Sequence, residues 1–285
     1  MRLIFREIRA FWRLCVVVVL ICGGIPTVCM VFPFLGPELK RRIKQRWAAF
    51  LIYTLGVRID TSTRDLPAGV LVVCNHISWL DVFILNALSP TTFVCKDDVK
   101  SWPALGTLVS HSGTLFIERG SRSAAARTAQ SMATRLQQGE RVAVFPEGTT
   151  TQGTTLLPFR AALFQAAIEA ETDVQPVALR YLDPRGEHCL APAYDGDVTF
   201  LESMLAIVRT PRIIARLEFL ECLSGTLDRR ELARQTEKLV ASALGLALPE
   251  HGEPADESML RGTPDTPINA HDLGTSHTQV EAVRQ

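Results

Sequence analysis

The chain of 285 residues lacks an excess of either charge, with 30 Lys and Arg against 30 Asp and Glu. That balance argues against the basic footprint of a nucleic-acid-binding protein. With 47% hydrophobic residues, the chain is also too apolar to be disordered throughout. It has no C-x-x-C pair. The seven cysteines, Cys15, Cys22, Cys29, Cys74, Cys95, Cys189 and Cys222, are odd in number and scattered, which argues against a disulfide framework or a zinc cage and for a reduced compartment. G-x-S-x-G and G-x-G-x-x-G are both missing. Gly148 and Gly153 have the spacing of a phosphate-binding loop, but Thr154 stands where its lysine belongs, which argues against a nucleotide site.

Charge is also missing locally, because Leu14 to Leu35 is a run of 22 residues without a charged side chain. As a helix it would measure about 33 Å, against a hydrocarbon core of about 30 Å. Two features favour a helical hairpin dipping into one leaflet over a single span. Cys22-Gly23-Gly24-Ile25-Pro26 is expected to break the run near its middle. Basic residues lie on both flanks: Arg2, Arg6, Arg9 and Arg13 before it, and Lys40, Arg41, Arg42, Lys44 and Arg46 after it. A span would therefore place one basic cluster outside. The four arginines share one helical face, leaving Leu3, Ile4, Phe5, Ile8, Phe11 and Trp12 for lipid. No A-x-A cleavage site follows the run.

From about Pro37 to Leu248 short β-rich runs alternate with helical patterns. Strands are predicted at Gly56–Thr61, Gly69–Asn75, Thr91–Lys96, Gly113–Arg119, Arg141–Phe145, Val174–Tyr181 and Arg212–Cys222. Helices are predicted at Glu38–Thr54, Trp79–Leu88, Trp102–His111, Arg122–Gln138 and Phe159–Ala170, with a last one from an Asp228 and Glu231 capping box to about Leu246. Near-continuous apolar runs such as Val70 to Cys74 predict one α/β domain with a mostly parallel central sheet flanked by helices. The expected organisation is a membrane-anchoring helical segment over residues 1–36, the folded domain over 37–248 and a disordered polar tail over 249–285.

Of the six histidines, His251, His271 and His277 lie in the tail, His188 lies in a turn-like stretch, and His111 has no carboxylate close in sequence. His76 ends a buried strand, where open α/β sheets bind ligands. On one continuous helix His76 and Asp81 would stand about 140° apart. They meet if the helix starts between them, with Ser78 as N-cap, and a carboxylate then holds the imidazole in the tautomer of a general base. The plainer alternative is a Ser78 and Asp81 capping box with His76 packed at a turn. No third ligand lies near enough for a metal site. Downstream, Gly113 to Arg119 is a strand ending in an acid and base pair. Phe145-Pro146-Glu147-Gly148-Thr149 is a tight turn after another apolar strand.

In order, these blocks are specific: Asn75-His76-x4-Asp81, Lys96 with Trp102-Pro103 and Gly106, Gly113-x-Leu-Phe-Ile-Glu-Arg119, Phe145-Pro-Glu-Gly-Thr149, Leu157-Pro-Phe-Arg160 and Pro176-Val177. The chain thereby resembles the glycerolipid acyltransferase family, typified by 1-acylglycerol-3-phosphate acyltransferases, over about residues 70 to 180. The resemblance implies transfer of a fatty acyl group from acyl-CoA or acyl carrier protein to a lysolipid hydroxyl, without metal or cofactor, at the cytoplasmic face of a bacterial inner membrane. It implies His76 as general base and Asp81 as its orienting carboxylate. Arg119 is implied on the acceptor's anionic head group and Glu147, Gly148 and Thr149 around the acceptor, with Asn75, Lys96, Thr150 and Arg160 as further candidates for substrate binding. The chemistry is consistent, because a thioester is an activated acyl donor and needs no Ser or Cys nucleophile. One departure concerns the acceptor. Many phosphate-acceptor members carry a basic residue where this chain has Thr150, and the variant block also resembles lyso-ornithine lipid acyltransferases. A rival of another class is a catalytically silent lipid-binding protein; intact His76, Asp81 and Glu147 disfavour it.

Overall fold

Seven strands form one sheet in the computed structural model, which describes residues 2–62, 66–96, 100, 105–117 and 122–250. They are β1 (Val57–Thr61), β2 (Leu71–Cys74), β3 (Thr92–Lys96), β4 (Leu115–Ile117), β5 (Val142–Val144), β6 (Val174–Leu182) and β7 (Ile213–Phe219), in the order β1-β7-β6-β2-β5-β3-β4. Every pairing is parallel except β6 with β7. The mostly parallel α/β sheet expected from the apolar runs is therefore present. β2 lies at its centre, buried at all four positions because both faces are covered. Its side chains alternate between two cores. Val72 and Cys74 join one with Ile84, Leu85 and Ile207, and Leu71 and Val73 join the other with Met132, Phe164 and Val240.

The helices are α1 (Arg2–Pro26), α2 (Pro37–Thr54), α3 (Leu80–Leu88), α4 (Leu105–His111), α5 (Arg122–Gln137), α6 (Gln165–Ala170), α7 (Phe200–Arg209) and α8 (Arg229–Leu244). α8 starts on Asp228, whose carboxylate accepts from Arg230 and Glu231 N–H, and ends at Gly245, left-handed at φ +65°. Helix α7 was not expected. Its signal is nevertheless in the sequence, since Thr199 and Glu202 form a reciprocal capping box ahead of an amphipathic stretch.

The N-terminal segment departs from expectation. No break occurs at Gly23–Pro26. α1 runs through to Pro26 and continues as a π-turn (Thr27–Val31) and a 3₁₀ turn (Phe32–Phe34). Pro26 has no N–H to give the preceding turn, and the Thr27 hydroxyl donates to Gly23 O at 2.7 Å, so the helix shifts register without stopping. Gly24 serves close approach: a Cβ there would lie 3.0 Å from Leu108 and 3.3 Å from the Trp47 indole nitrogen, which donates to Leu20 O. The chain reverses at Leu35-Gly36 instead, and α2 returns beside α1. Nor do all the arginines line a free face: Arg6 is exposed and pairs with Glu7 on the same helix, but the next two are engaged by the domain. Arg9 donates to Arg209 O and Arg13 to Val208, Thr210 and Pro211 O, so both occupy the carbonyl end of α7. Ile4, Phe5, Ile8, Phe11 and Trp12 remain exposed, as expected. Of the polar tail, residues 251–285 lie outside the described residues.

Candidate active site

β2 and β5 are parallel neighbours, so the residues just past their ends emerge side by side at the carboxyl edge of the sheet. Connections leave this point in opposite directions, β2 toward β3 and β5 across to β6, which makes it a topological switch point. His76 is the second residue past β2 and Phe145 the first past β5. Their rings stack at 3.9 Å between centroids and 10° between planes, with Phe93 of β3 lying parallel behind at 6.2 Å.

The turn from Asn75 to Trp79 brings His76 and Asp81 together. Asp81, fully buried on the first turn of α3, accepts through Oδ2 from His76 Nδ1 at 2.8 Å, Ile77 N at 2.8 Å and Ser78 N at 3.0 Å. Its Oδ1 accepts from the Tyr181 hydroxyl at 2.6 Å. The first helical residue is Leu80, with Trp79 as N-cap. Ser78, the expected cap, accepts only a long bond of 3.3 Å from Leu80 N. Capping and orientation of the histidine are not alternatives here, because one carboxylate oxygen serves both. With Nδ1 donating to Asp81, the other nitrogen, Nε2, carries the free lone pair on a side chain that is 20% exposed.

Glu147 is placed differently from the substrate-facing position implied by the resemblance. It is buried, and its two oxygens accept from His76 N at 2.7 Å and Leu157 N at 2.9 Å, so it straps the turns around His76. Burial raises its pKa to about 7, although both backbone bonds oppose the shift. Gly148 is left-handed at φ +73°, and a Cβ would lie 2.5 Å from the Arg160 guanidinium carbon; glycine thus permits both the turn and the arginine's approach. Thr149 and Arg160 are exposed at this edge. Thr150 gives its hydroxyl to Tyr194 O, and Thr151 N donates to His76 O at 2.9 Å.

Asn75 is 2% exposed and bonded to the main chain of Leu179, so it faces the sheet. Lys96 is placed as the last residue of β3, opposite Ile117. Arg119, Trp102 and Pro103 lie outside the described residues. Cys74 is fully buried in the core, and desolvation, with the Asp81 and Glu147 charges, pushes its thiol well above its usual range. Among the described residues no three His, Cys, Asp or Glu side chains converge as a metal site. Sequence reasoning missed Phe145 and Tyr181 as site residues. A tyrosine at an inward position of an apolar strand is the available signal, since a buried phenol needs a partner.

A model of the Acyltransferase family matches residues 58–180, which hold His76, Asp81, Phe145, Glu147 and Arg160, while Tyr181 and Tyr194 follow its end. The chain is 37% identical over 188 residues to the 1-acyl-sn-glycerol-3-phosphate acyltransferase of Neisseria meningitidis, covering 66% of this chain and 73% of that one. It is 38% identical over 213 residues to the lyso-ornithine lipid O-acyltransferase of Pseudomonas aeruginosa, covering 74% and 82%. The crystal structure of the 1-acyl-sn-glycerophosphate acyltransferase of Thermotoga maritima shares the fold, with a TM-score of 0.63 over 86% of this chain and 97% of that one at 18% identity. Sequence blocks, sheet topology and these relatives converge on one assignment: the chain belongs to the Acyltransferase family.

Proposed function

We propose that this membrane-associated acyltransferase moves a fatty acyl group from acyl-CoA or acyl carrier protein to the free hydroxyl of 1-acylglycerol-3-phosphate, forming phosphatidic acid. The observation that carries the reading is the 2.8 Å bond from His76 Nδ1 to a buried Asp81 carboxylate, which leaves Nε2 to accept a proton at the sheet edge. His76 takes the acceptor's hydroxyl proton as that oxygen attacks the thioester carbonyl. The C–S bond then breaks, and the imidazolium returns its proton to the leaving thiolate. Asp81 stabilises the imidazolium formed between the two steps. Glu147 supports the base through the His76 amide, while Gly148, Thr149 and Arg160 line the acceptor side and Arg119 pairs with the phosphate.

A second reading, with lyso-ornithine lipid as acceptor, has one observation in its favour. Thr150 stands where many phosphate-acceptor members carry a basic residue, and its hydroxyl bonds to the Tyr194 carbonyl. Purified protein offered both lysolipids with an acyl thioester distinguishes the readings. Faster transfer to lysophosphatidate is expected, and a Thr150→Arg variant should widen the preference. Faster transfer to lyso-ornithine lipid would reassign the acceptor, and no transfer to either would favour a silent lipid-binding protein.

The same reading seats the enzyme monotopically on the cytoplasmic face of the inner membrane, where thioester donors are available. The helical stretch from Ile4 to Phe34, α1 with its continuation, is by length and composition apolar and long enough to cross a membrane. Its contacts with the domain from Arg9 to Gly24, together with the return of α2 beside it, support a surface seating over a span. Cysteines introduced at Arg6 and Lys44 should both escape an impermeant thiol reagent outside intact cells; labelling at Arg6 alone would establish a span.

A further inference from the structure

β2 ends at Cys74, opposite Val177, but β6 continues to Leu182. Its last five residues therefore run on beneath the turn that carries His76 and Asp81, with β7 as their partner on the other side. Tyr181 lies in this overhang, fully buried and on the same face as Val177 and Leu179. Its hydroxyl reaches Asp81 Oδ1 at 2.6 Å. The division of donors on Asp81 is uneven. Oδ2 has His76 Nδ1 and two backbone N–H groups, all from the turn itself, whereas among the described residues Oδ1 has only the phenol, brought by a strand about 100 positions later in the chain.

We propose that Tyr181 is a positioning residue for acyl transfer, its phenol fixing the plane of the Asp81 carboxylate so that Oδ2 stays on His76 Nδ1. The proposal rests on the reading of His76 as general base. A buried carboxylate oxygen without a donor is costly, and the group lowers that cost by turning or by drawing the histidine proton toward itself. With the phenol present, neither happens. The donor also withdraws charge from the carboxylate, which moderates its hold on the imidazolium and lets the proton pass on to the leaving thiolate.

Tyr181→Phe keeps the ring that fills the core and removes only the hydroxyl. The expected result is a fall in kcat of about 10- to 100-fold, the factor that a hydrogen bond to a charged group is worth. The Michaelis constants for donor and acceptor should be unchanged, because Tyr181 touches neither. The acid limb of the pH–rate profile should move to higher pH, since a carboxylate that has lost a donor holds the imidazolium more tightly. Among the described residues, the ionisable groups around Asp81 are His76 and Cys74 from β2 and its turn, Glu147 from the turn after β5, and Tyr181 itself. Glu147 titrates in both forms, so the reading is the displacement between them.

A second measurement removes nothing from the core. The chain has three tyrosines, Tyr53, Tyr181 and Tyr194. In a Tyr53→Phe, Tyr194→Phe background, incorporation of 3-fluorotyrosine alters only position 181. The more acidic phenol is a stronger donor and should move the acid limb the other way, to lower pH. Unchanged kcat and pH profile in either form, with wild-type turnover intact, would overturn the proposal. Equal loss at every pH with a falling folded fraction would also overturn it, by making Tyr181 merely structural. A wild-type protein without transfer activity would instead sink the reading of His76 on which it rests.

Discussion

The side-chain amide of Asn75 substitutes for a rung of the β-ladder with Leu179. Its Nδ2 donates to Leu179 O at 3.0 Å and its Oδ1 accepts from Leu179 N at 2.8 Å, at the point where β2 stops and β6 runs on. The backbone of Asn75 is thereby free to turn, and His76 leaves the sheet one residue later.

Asn75→Ala removes both bonds and leaves a buried N–H and C=O unpaired, so it should destabilise the domain by about 2 to 4 kcal/mol. Denaturant melts should show a lower midpoint, with turnover per folded molecule reduced as the turn loosens. A variant as stable and as active as the parent would show that the amide is dispensable.

His76→Ala and Asp81→Asn should separate in stability while agreeing in activity. Both should lose transfer, by about 10²- to 10⁴-fold for the base. His76 is partly exposed and its loss should leave the melting temperature close to the parent's. An amide at Asp81 presents an NH2 among four donors and should lower stability by about 3 kcal/mol. Thermal melts beside activity assays check the contrast.

Glu147 makes stability depend on pH. Its folded pKa of about 7 lies above the ordinary carboxylate value of 4.5, so the folded state binds the proton more tightly than the unfolded one. Its contribution is full below pH 4.5 and is lost as pH rises through about 7, on the order of 3 kcal/mol in all. The melting temperature of the parent minus that of Glu147→Gln should fall across this window and level off above it. A difference that is flat with pH would show that Glu147 ionises as in solution.

Cys74 should form no acyl adduct, although it lies two residues from His76. Its thiol is buried in the core and held protonated. Mass spectrometry of protein quenched during turnover should find it unmodified, and Cys74→Ala should retain turnover.

Arg13 should hold α1 to the domain. Three carbonyls at the end of α7 accept from its guanidinium, and a Cβ at Gly56 would lie 1.9 Å from one of its nitrogens. Arg13→Ala should expose α1 to limited proteolysis before the domain unfolds. Gly56→Ala should do the same by displacing the arginine and by straining a residue at φ +79°.

Most of the sheet was legible in the sequence because its strands are continuous apolar runs, and the His76 and Asp81 pairing was legible because their spacing works only across a helix start. Partnerships made by distant segments were not. Tyr181 meets Asp81 only once β6 has overrun β2, and Glu147 is held inward by the amides of Leu157 and of His76, the latter far back along the chain. Gly23 to Pro26 misled for a related reason. Glycine and proline weaken a helix in isolation, but packing against Trp47 and Leu108 overrides the local preference.

The arginine clamp on α7 gives the molecule a fixed attitude. With the amphiphilic helix bolted alongside the catalytic body from Arg9 to Gly24, no slack tether separates the two. Under the proposed surface seating, the tilt of the carboxyl edge of the sheet toward the lipid would be decided during folding, before any substrate arrives. An enzyme so seated could not swing out to collect a lysolipid; it would have to drift in the plane of the leaflet until one slid into reach, while the proposed thioester donor came from the water above.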